Sequence, residues 1–134
     1  MSERNRVLSV TKTRRITFGS TISASFTIGK SLDWELLDRA SEFWRHRGLS
    51  IKKKTLEKTP EDVAMIAATL VAEGGTIWTI EFDQYRKVIT VSMIGTEDSV
   101  EVFVRVELFG GFMSAKDKEK SMSLLEEFQD QLSE

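Results

Sequence analysis

Alternation of apolar and polar side chains over residues 76–109 constrains the fold of this chain more than any other feature. Successive side chains of a β-strand point to opposite faces, so a period of two indicates half-buried strands. Connections at 84–86 and 95–98 have hairpin length, which predicts an antiparallel meander of strands 76–83, 87–94 and 99–109. The apolar positions are Trp78, Ile80 and Phe82, then Ile89, Val91 and Met93, then Val100, Val102, Val104, Val106 and Leu108.

Two further strands are predicted before the meander. Residues 20–28 alternate in the same way, with Ile22, Ala24, Phe26 and Ile28 on one face. The second predicted strand, residues 49–57, has apolar residues at Leu49, Ile51 and Leu56. The triplet Lys52-Lys53-Lys54 in this second segment is typical of an edge strand, because lysine side chains block pairing with another sheet.

Helical spacing of apolar residues predicts two helices. Over 32–47, Ser31 is a candidate N-cap and Gly48 follows the last turn. The buried stripe of this helix is Leu36, Leu37, Ala40, Phe43 and Trp44. A C-terminal helix over about 115–132 has the stripe Met122, Leu125, Phe128 and Leu132.

Residues 62–72 fit two interpretations. The preceding Thr59-Pro60-Glu61-Asp62 combines an N-cap, a proline at the first helical position and acids in the first turn. Val63, Ile66, Ala67, Leu70 and Val71 then form a helical stripe. The segment is also short, apolar nearly all round and flanked by turns, as a buried strand would be. We favour the helix.

The element order predicts an α+β fold, a two-layer antiparallel sheet of about five or six strands packed against two or three helices. In element order alone the chain resembles the TATA-binding-protein-like fold and the helix-grip fold of START and pollen-allergen-like ligand carriers. A shared element order identifies no functional residue. We expect residues 16–134 to form a single α+β domain, preceded by a basic N-terminal arm or edge strand at 1–15.

Composition narrows the class of protein. The chain has 134 residues, a formal net charge of −2 and no cysteine, so no general field attracts nucleic acid and no disulfide framework is available. Its apolar runs fall far short of the roughly 20 residues that span a bilayer, and the N-terminus lacks the apolar segment of a secretory signal. We therefore expect a cytoplasmic protein without membrane contact. Few amides and many charged residues fit a heat-adapted source.

No catalytic, metal or cofactor signature is present, so the sequence favours a non-enzymatic protein. His46 is the chain's one histidine, lies between two arginines and lacks the partners of a nucleophilic triad. One histidine and no cysteine leave no transition-metal site. One side of the meander carries three acids, Glu81, Glu101 and Glu107, and Arg105 lies between the last two. The simplest interpretation is a ladder of ion pairs between neighbouring strands.

The second face of the meander is more apolar than a face that meets only water. Something partly apolar is expected to cover it: the N-terminal residues 1–18, a second copy of the chain, or a ligand or protein partner. We favour a symmetric homodimer. The candidate interface or ligand residues are Ile77, Val88, Ile94, Phe103, Arg105 and Phe109.

Two other surfaces are candidates for binding anions. The first is a basic rim, for which a solvated lysine edge is the preferred interpretation over a phosphate-backbone contact. Its residues are Arg45, His46, Arg47, Lys52, Lys53, Lys54 and Lys58. The second is the junction of the last strand and the C-terminal helix, where free backbone N–H groups could hold an anion. Its residues are Gly110, Gly111, Ser114 and Lys116.

Four functions remain, in order of preference. The first is a non-enzymatic binding or interaction domain, homodimeric through the partly apolar sheet face. The second is a carrier of small hydrophobic ligands, with a pocket between the sheet and the C-terminal helix. Weak nucleic-acid binding through the basic rim is a further alternative, and an enzyme that uses carboxylates ranks last.

Overall fold

A computed structural model describes residues 9–14, 20–58, 65–75, 86–96, 98–109 and 115–134. These residues form six strands and two helices. Along the chain they are β1 (Ser9–Arg14), β2 (Ser20–Ile28), α1 (Trp34–Arg45), β3 (Ser50–Lys58), β4 (Ile66–Gly74), β5 (Arg86–Gly95), β6 (Val100–Phe109) and α2 (Ala115–Ser133).

The six strands form one antiparallel sheet in the order β1-β2-β6-β5-β4-β3. β3 to β6 are paired in chain order, and β6 then pairs with β2. Because β2 and β3 are separated by three strands, α1 carries the chain across the sheet from one side to the other. The α+β class, the antiparallel sheet and the C-terminal helix are thus confirmed.

Burial follows the predicted alternation in β2, β5 and β6. The predicted apolar positions of these strands are all buried on one face, whereas their neighbours on the other face are more exposed. Each strand therefore contributes one row of side chains to a common core. The predicted strand at 49–57 corresponds to β3, which is an edge strand as its lysines indicated.

The preference for a helix over 62–72 is wrong, because residues Ile66–Gly74 form strand β4 between β3 and β5. Ala68, Leu70 and Ala72 are buried at a period of two, and the residues between them are more exposed. Pairing with a strand on each side satisfies the backbone, and this tertiary context overrides the helix propensity of the alanines. The helix-start residues 59–62 lie outside the described residues.

Helix α1 begins two residues later than its sequence signal indicated. The N-cap is Asp33, whose carboxylate accepts a hydrogen bond from the backbone N–H of Leu36 at 2.9 Å; the prediction of Ser31 is wrong. At the other end Gly48 has a φ of 83°, which glycine adopts without strain. The backbone N–H of Leu49 then donates to the carbonyl of Trp44 at 3.2 Å, and the chain turns directly into β3.

An aromatic cluster joins both helices to the sheet. The ring of Phe128 in α2 lies 5.1 Å from Phe43 and 5.0 Å from Trp44 in α1, and 6.2 Å from Phe26 in β2. All four rings are buried. The guanidinium of Arg39 adds a polar link, since it donates to the carbonyls of Gln131 and Glu134, both at 2.7 Å.

Several predictions lie outside the described residues. They include the strand at 76–83, with Trp78, Ile80 and Phe82, and the glycine break at 110–111. The division into an N-terminal segment and a single domain stays a prediction, although residues 9–14 pair with β2 as strand β1. Within the described part of the chain, neither helix has the length and hydropathy needed to cross a membrane.

Candidate functional site

The sheet face that points away from the core, here called the outer face, is an ordered grid of side chains. Register across β2, β6, β5 and β4 places four residues in each row. The rows are Thr21, Glu107, Val88 and Glu73; Ser23, Arg105, Thr90 and Val71; Ser25, Phe103, Ser92 and Thr69; and Thr27, Glu101, Ile94 and Ala67. Short hydroxyl side chains occupy much of this grid, with a few large residues between them.

Exposure changes along the outer face. Thr21 and Glu107, which pair across β2 and β6, are both buried. Further along, Phe103 is 45% exposed and Ile94 is 40% exposed. Ile94 and Phe103 are diagonal neighbours on β5 and β6, and contiguous exposed apolar side chains often mark an interaction site. The open part of the face therefore comprises the three rows that begin at Ser23, Ser25 and Thr27.

Phe103 projects from the centre of this open part. Its cross-strand neighbours are Ser25 on β2 and Ser92 on β5, both much shorter. A shallow depression of about 400 Å³ lies here, and Ser23 and Thr90 also line it. The outer face therefore has a projecting aromatic ring directly beside a depression.

Charges flank the aromatic ring along β6. Arg105 Nε lies 3.5 Å from Glu107 Oε1 within the same strand, so the predicted cross-strand ladder stays a prediction. Glu101 is exposed on the other side of Phe103, two residues away. At the edge of the grid, Arg86 Nη2 donates to Glu73 Oε1 at 3.2 Å between adjacent strands.

Five of the six predicted interface residues lie on the outer face, and three of them, Ile94, Phe103 and Arg105, belong to its open rows. Val88 lies in the row of the buried Glu107 and is half-buried. Phe109 lies at the end of β6, opposite Arg86, and is also half-buried. The sixth, residue 77, lies outside the described residues.

The basic rim is not one continuous patch of free cations. Arg45 donates to Glu42 at 2.7 Å, and His46 Nε2 lies 4.0 Å from the same carboxylate. Arg47 pairs with Glu127, and Lys54 pairs with Asp38. Lys52, Lys53 and Lys58 are exposed on β3. Carboxylates beside three of these cations lower the local positive potential that a phosphate backbone would meet.

The predicted anion site falls largely outside the described residues. Gly110, Gly111 and Ser114 are not among them, and Lys116 is described only as a backbone position in α2. The anion site therefore stays a prediction. Among the residues that the structure describes, no three histidine, aspartate or glutamate side chains come together as metal ligands would.

A cleft lies between the sheet and the C-terminal helix, where the carrier alternative expects a pocket, although its lining residues were not predicted. It has a volume of about 740 Å³, opens to solvent and is here called the helix-side cleft. Three separate segments of the chain line it, so no local motif indicates it. Its lining residues are Trp44, His46, Arg47, Leu49, Lys87, Glu119, Lys120, Ser123, Leu124 and Glu127.

Lys87 is the lining residue that the sequence could have revealed. It lies two residues before Ile89, so the alternation of β5 places it on the core side of the strand. The structure shows that it is only 5% exposed.

Lys30, which precedes α1, belongs to neither surface. Burial and, to a lesser extent, the positive charge of Arg39 lower its pKa.

Comparison of this chain with protein-family models, with curated proteins and with solved structures finds no match in any of the three. Function is therefore inferred from the geometry and charge of the described residues.

Proposed function

We propose that this chain is a non-enzymatic interaction domain that forms a homodimer through the outer face of its sheet. The observation that carries the proposal is the exposed ring of Phe103 at the centre of the open rows, with Ile94 exposed beside them. Burial of both side chains against a second copy removes apolar surface from water at about 25 cal/mol per Å². Aromatic residues in the middle of a patch are also the usual anchors of interfaces.

The order of residues along β6 supports a second copy as the partner. Glu101, Phe103 and Arg105 share the outer face, so the ring has an acid about 6.6 Å away on one side and a base equally far on the other. A twofold axis in the interface, perpendicular to β6 and passing over Phe103, reverses the strand of the second copy. Each Glu101 then faces an Arg105 of the other copy. Such a self-complementary pattern is what a symmetric dimer requires.

Shape supports the same arrangement. The ring of Phe103 projects beside the depression between Ser23, Ser25, Thr90 and Ser92. A small offset across the twofold axis lets each ring enter the depression of the other copy. Arg105 retains donors for Glu107 while it binds the second copy, because a guanidinium has five N–H groups.

The sheet edges and the available area fit a modest face-to-face dimer. Exposed Lys52 and Lys53 on β3 oppose edge-to-edge pairing on that side. Residues 9–14 extend the sheet sideways as β1, in its plane, instead of covering Phe103. Three rows across the four strands of the grid cover roughly 400 Å², so two copies bury about 800 Å², the size of a weak or transient interface. We expect dissociation in the micromolar range.

Sedimentation or light scattering across the micromolar range tests the proposal. The mass should rise from monomer to dimer with concentration, and Phe103→Ser should shift the midpoint at least tenfold to higher concentration. Trp34→Ser is the matched control, because Trp34 is 51% exposed but lies on α1, away from the outer face. That variant should dimerise as the unaltered chain does.

Charge exchange tests the twofold arrangement itself. Glu101→Arg and Arg105→Glu should each weaken the dimer, because they place like charges across the axis. The double variant restores opposite charges and should recover most of the affinity. A monomer mass throughout the range, or equal effects of Phe103→Ser and Trp34→Ser, would contradict the dimer.

A further inference from the structure

The helix-side cleft has the size and the floor of a small-molecule site. Its volume of about 740 Å³ falls within the range of ligand pockets, roughly 300–1,000 Å³. Trp44, Leu49 and Leu124 provide an apolar floor. Trp44 is fully buried, and Leu49 nearly so. Leu124 is the most accessible of the three, so an aliphatic group can be removed from water against it.

A buried cation lies against the same cleft. Lys87 projects from the core side of β5 and is only 5% exposed, an unusual position for an ammonium group. Burial strengthens the interaction of this ammonium group with an anion, because charges interact more strongly where water is excluded. An anion in the cleft would add to the interactions that hold Lys87.

Among the described residues that line the cleft, cationic side chains outnumber carboxylates. Arg47 and Lys120 accompany Lys87, against the two carboxylates of Glu119 and Glu127. Glu127 is already paired with Arg47, whose guanidinium carbon also lies 3.9 Å above the ring of Phe43. This stacking fixes Arg47 at the mouth, where its remaining donors can bind an anionic group.

Trp44 lies beneath the cleft and offers a probe of it. Its indole N–H is buried and has no hydrogen-bond partner among the described residues. Because the nitrogen itself is buried, a ligand in the cleft does not bond to it but changes the packing around the indole ring.

We propose that the helix-side cleft binds a small organic anion with an apolar body, of the class of medium-chain carboxylates. The hydrocarbon lies on Trp44, Leu49 and Leu124, and the carboxylate is directed to Lys87 and Arg47. The site is independent of the outer face, because no residue of the open rows lines it.

Titration of the full chain with decanoate tests this site, followed by the indole N–H resonances in nitrogen–proton correlation spectra. The chain has three tryptophans, and the resonance of Trp34 is assigned with Trp34→Phe and that of Trp44 with Trp44→Phe. Below the micellar concentration, decanoate should shift the Trp44 resonance saturably and leave that of Trp34 unchanged. Decanol, which has the same chain without the charge, should bind at least tenfold more weakly.

Ser123 offers a matched pair of charge variants. It lines the cleft, is exposed and can be replaced without disturbing the core. Ser123→Glu should weaken decanoate binding roughly fivefold, whereas Ser123→Lys should leave it equal or tighter. Lys87→Gln should weaken it at least tenfold in a variant that still shows the unaltered folded spectrum.

Three results would overturn the site. They are no saturable shift of Trp44 with decanoate, equal binding of decanoate and decanol, or equal affinities of the two Ser123 variants. Phe103→Ser should bind decanoate as the unaltered chain does, whatever its state of association. Failure of the dimer and failure of the cleft site are therefore distinguishable.

Discussion

The carboxylate of Asp33 stabilises the start of α1 in two ways. It accepts the hydrogen bond of the Leu36 N–H at 2.9 Å, and its charge lies at the positive end of the helix dipole. We expect Asp33→Ala to lower the free energy of unfolding by about 1 kcal/mol. Urea denaturation at fixed protein concentration measures this loss.

Asparagine at position 33 is the control for the cap. It keeps an acceptor at the same place, so Asp33→Asn should retain most of the stability that Asp33→Ala loses. A loss of equal size in both variants would mean that the charge, and not the hydrogen bond, stabilises the helix start.

The sequence alone offers two cap residues for α1, and only the packing around them decides between them. Ser31 and Asp33 are both good N-caps and lie two residues apart. Leu32 lies between them, is buried, and its N–H donates to the carbonyl of Thr96 at 3.3 Å. With Asp33 as the cap, Leu32 and Leu37 occupy the two positions of a hydrophobic staple, and both are buried. That choice depends on the distant β5–β6 turn, which no local signal reports.

At the scale of elements, the β5–β6 hairpin leaves no room for a side chain at Gly95. A Cβ there would lie 2.8 Å from the carbonyl oxygen of Ser99 and 2.9 Å from Val100 Cγ2. The Ser99 oxygen cannot withdraw freely, because it accepts the Thr96 N–H at 2.9 Å. We expect Gly95→Ala to destabilise the chain by about 1–3 kcal/mol in thermal or urea unfolding.

Gly29 provides the comparison for the hairpin. A Cβ at Gly29 meets no heavy atom within 4 Å, and its φ lies outside the left-handed region. Gly29→Ala should therefore be neutral or stabilise by up to about 1 kcal/mol, because it restricts the unfolded chain. Similar losses at both glycines would show that close packing does not explain the requirement at Gly95.

Strand β4 shows why one element could not be predicted. A run such as Ile66-Ala67-Ala68-Thr69-Leu70-Val71 is apolar at both helical and strand spacing, so periodicity does not separate the two. Its identity follows from β3 and β5, which pair with it along its whole length. By contrast, β2, β5 and β6 alternate cleanly because one of their faces is the core, and their sequences predict them directly.

At the scale of the whole molecule, the outer face was partly predictable, whereas the lining residues of the helix-side cleft were not. Alternation places Phe103 and Ile94 on the same side of the sheet, and the hairpin makes them neighbours. The depression beside Phe103, however, needs Ser23 and Ser25 of β2, which pairs with β6 across nearly eighty residues of sequence. The lining of the cleft combines the C-terminal end of α1, Lys87 of β5 and residues 119–127 of α2, a tertiary arrangement that no periodicity encodes.

Phe128 is the side chain on which the attachment of α2 depends most. It is fully buried and its ring contacts Phe26, Phe43 and Trp44, so it connects the sheet and both helices. We expect Phe128→Ala to lower the free energy of unfolding by about 3–5 kcal/mol, because the substitution removes buried surface and leaves a cavity. In urea the midpoint should fall while the slope stays constant, as expected if helix and sheet unfold together.

Phe103→Ala is the counterpart on the outer face, and its effect should depend on concentration. At concentrations where the chain is monomeric, loss of a half-exposed ring should change stability by no more than about 0.5 kcal/mol. At concentrations that favour the dimer, the unaltered chain gains stability from association and the variant does not, so the difference between them widens. Phe128→Ala should instead cost a similar amount at both concentrations. A large loss of stability from Phe103→Ala in the dilute monomer would show that this ring stabilises the fold itself. If the difference in stability between the variant and the unaltered chain stays constant with concentration, the ring has no role in association.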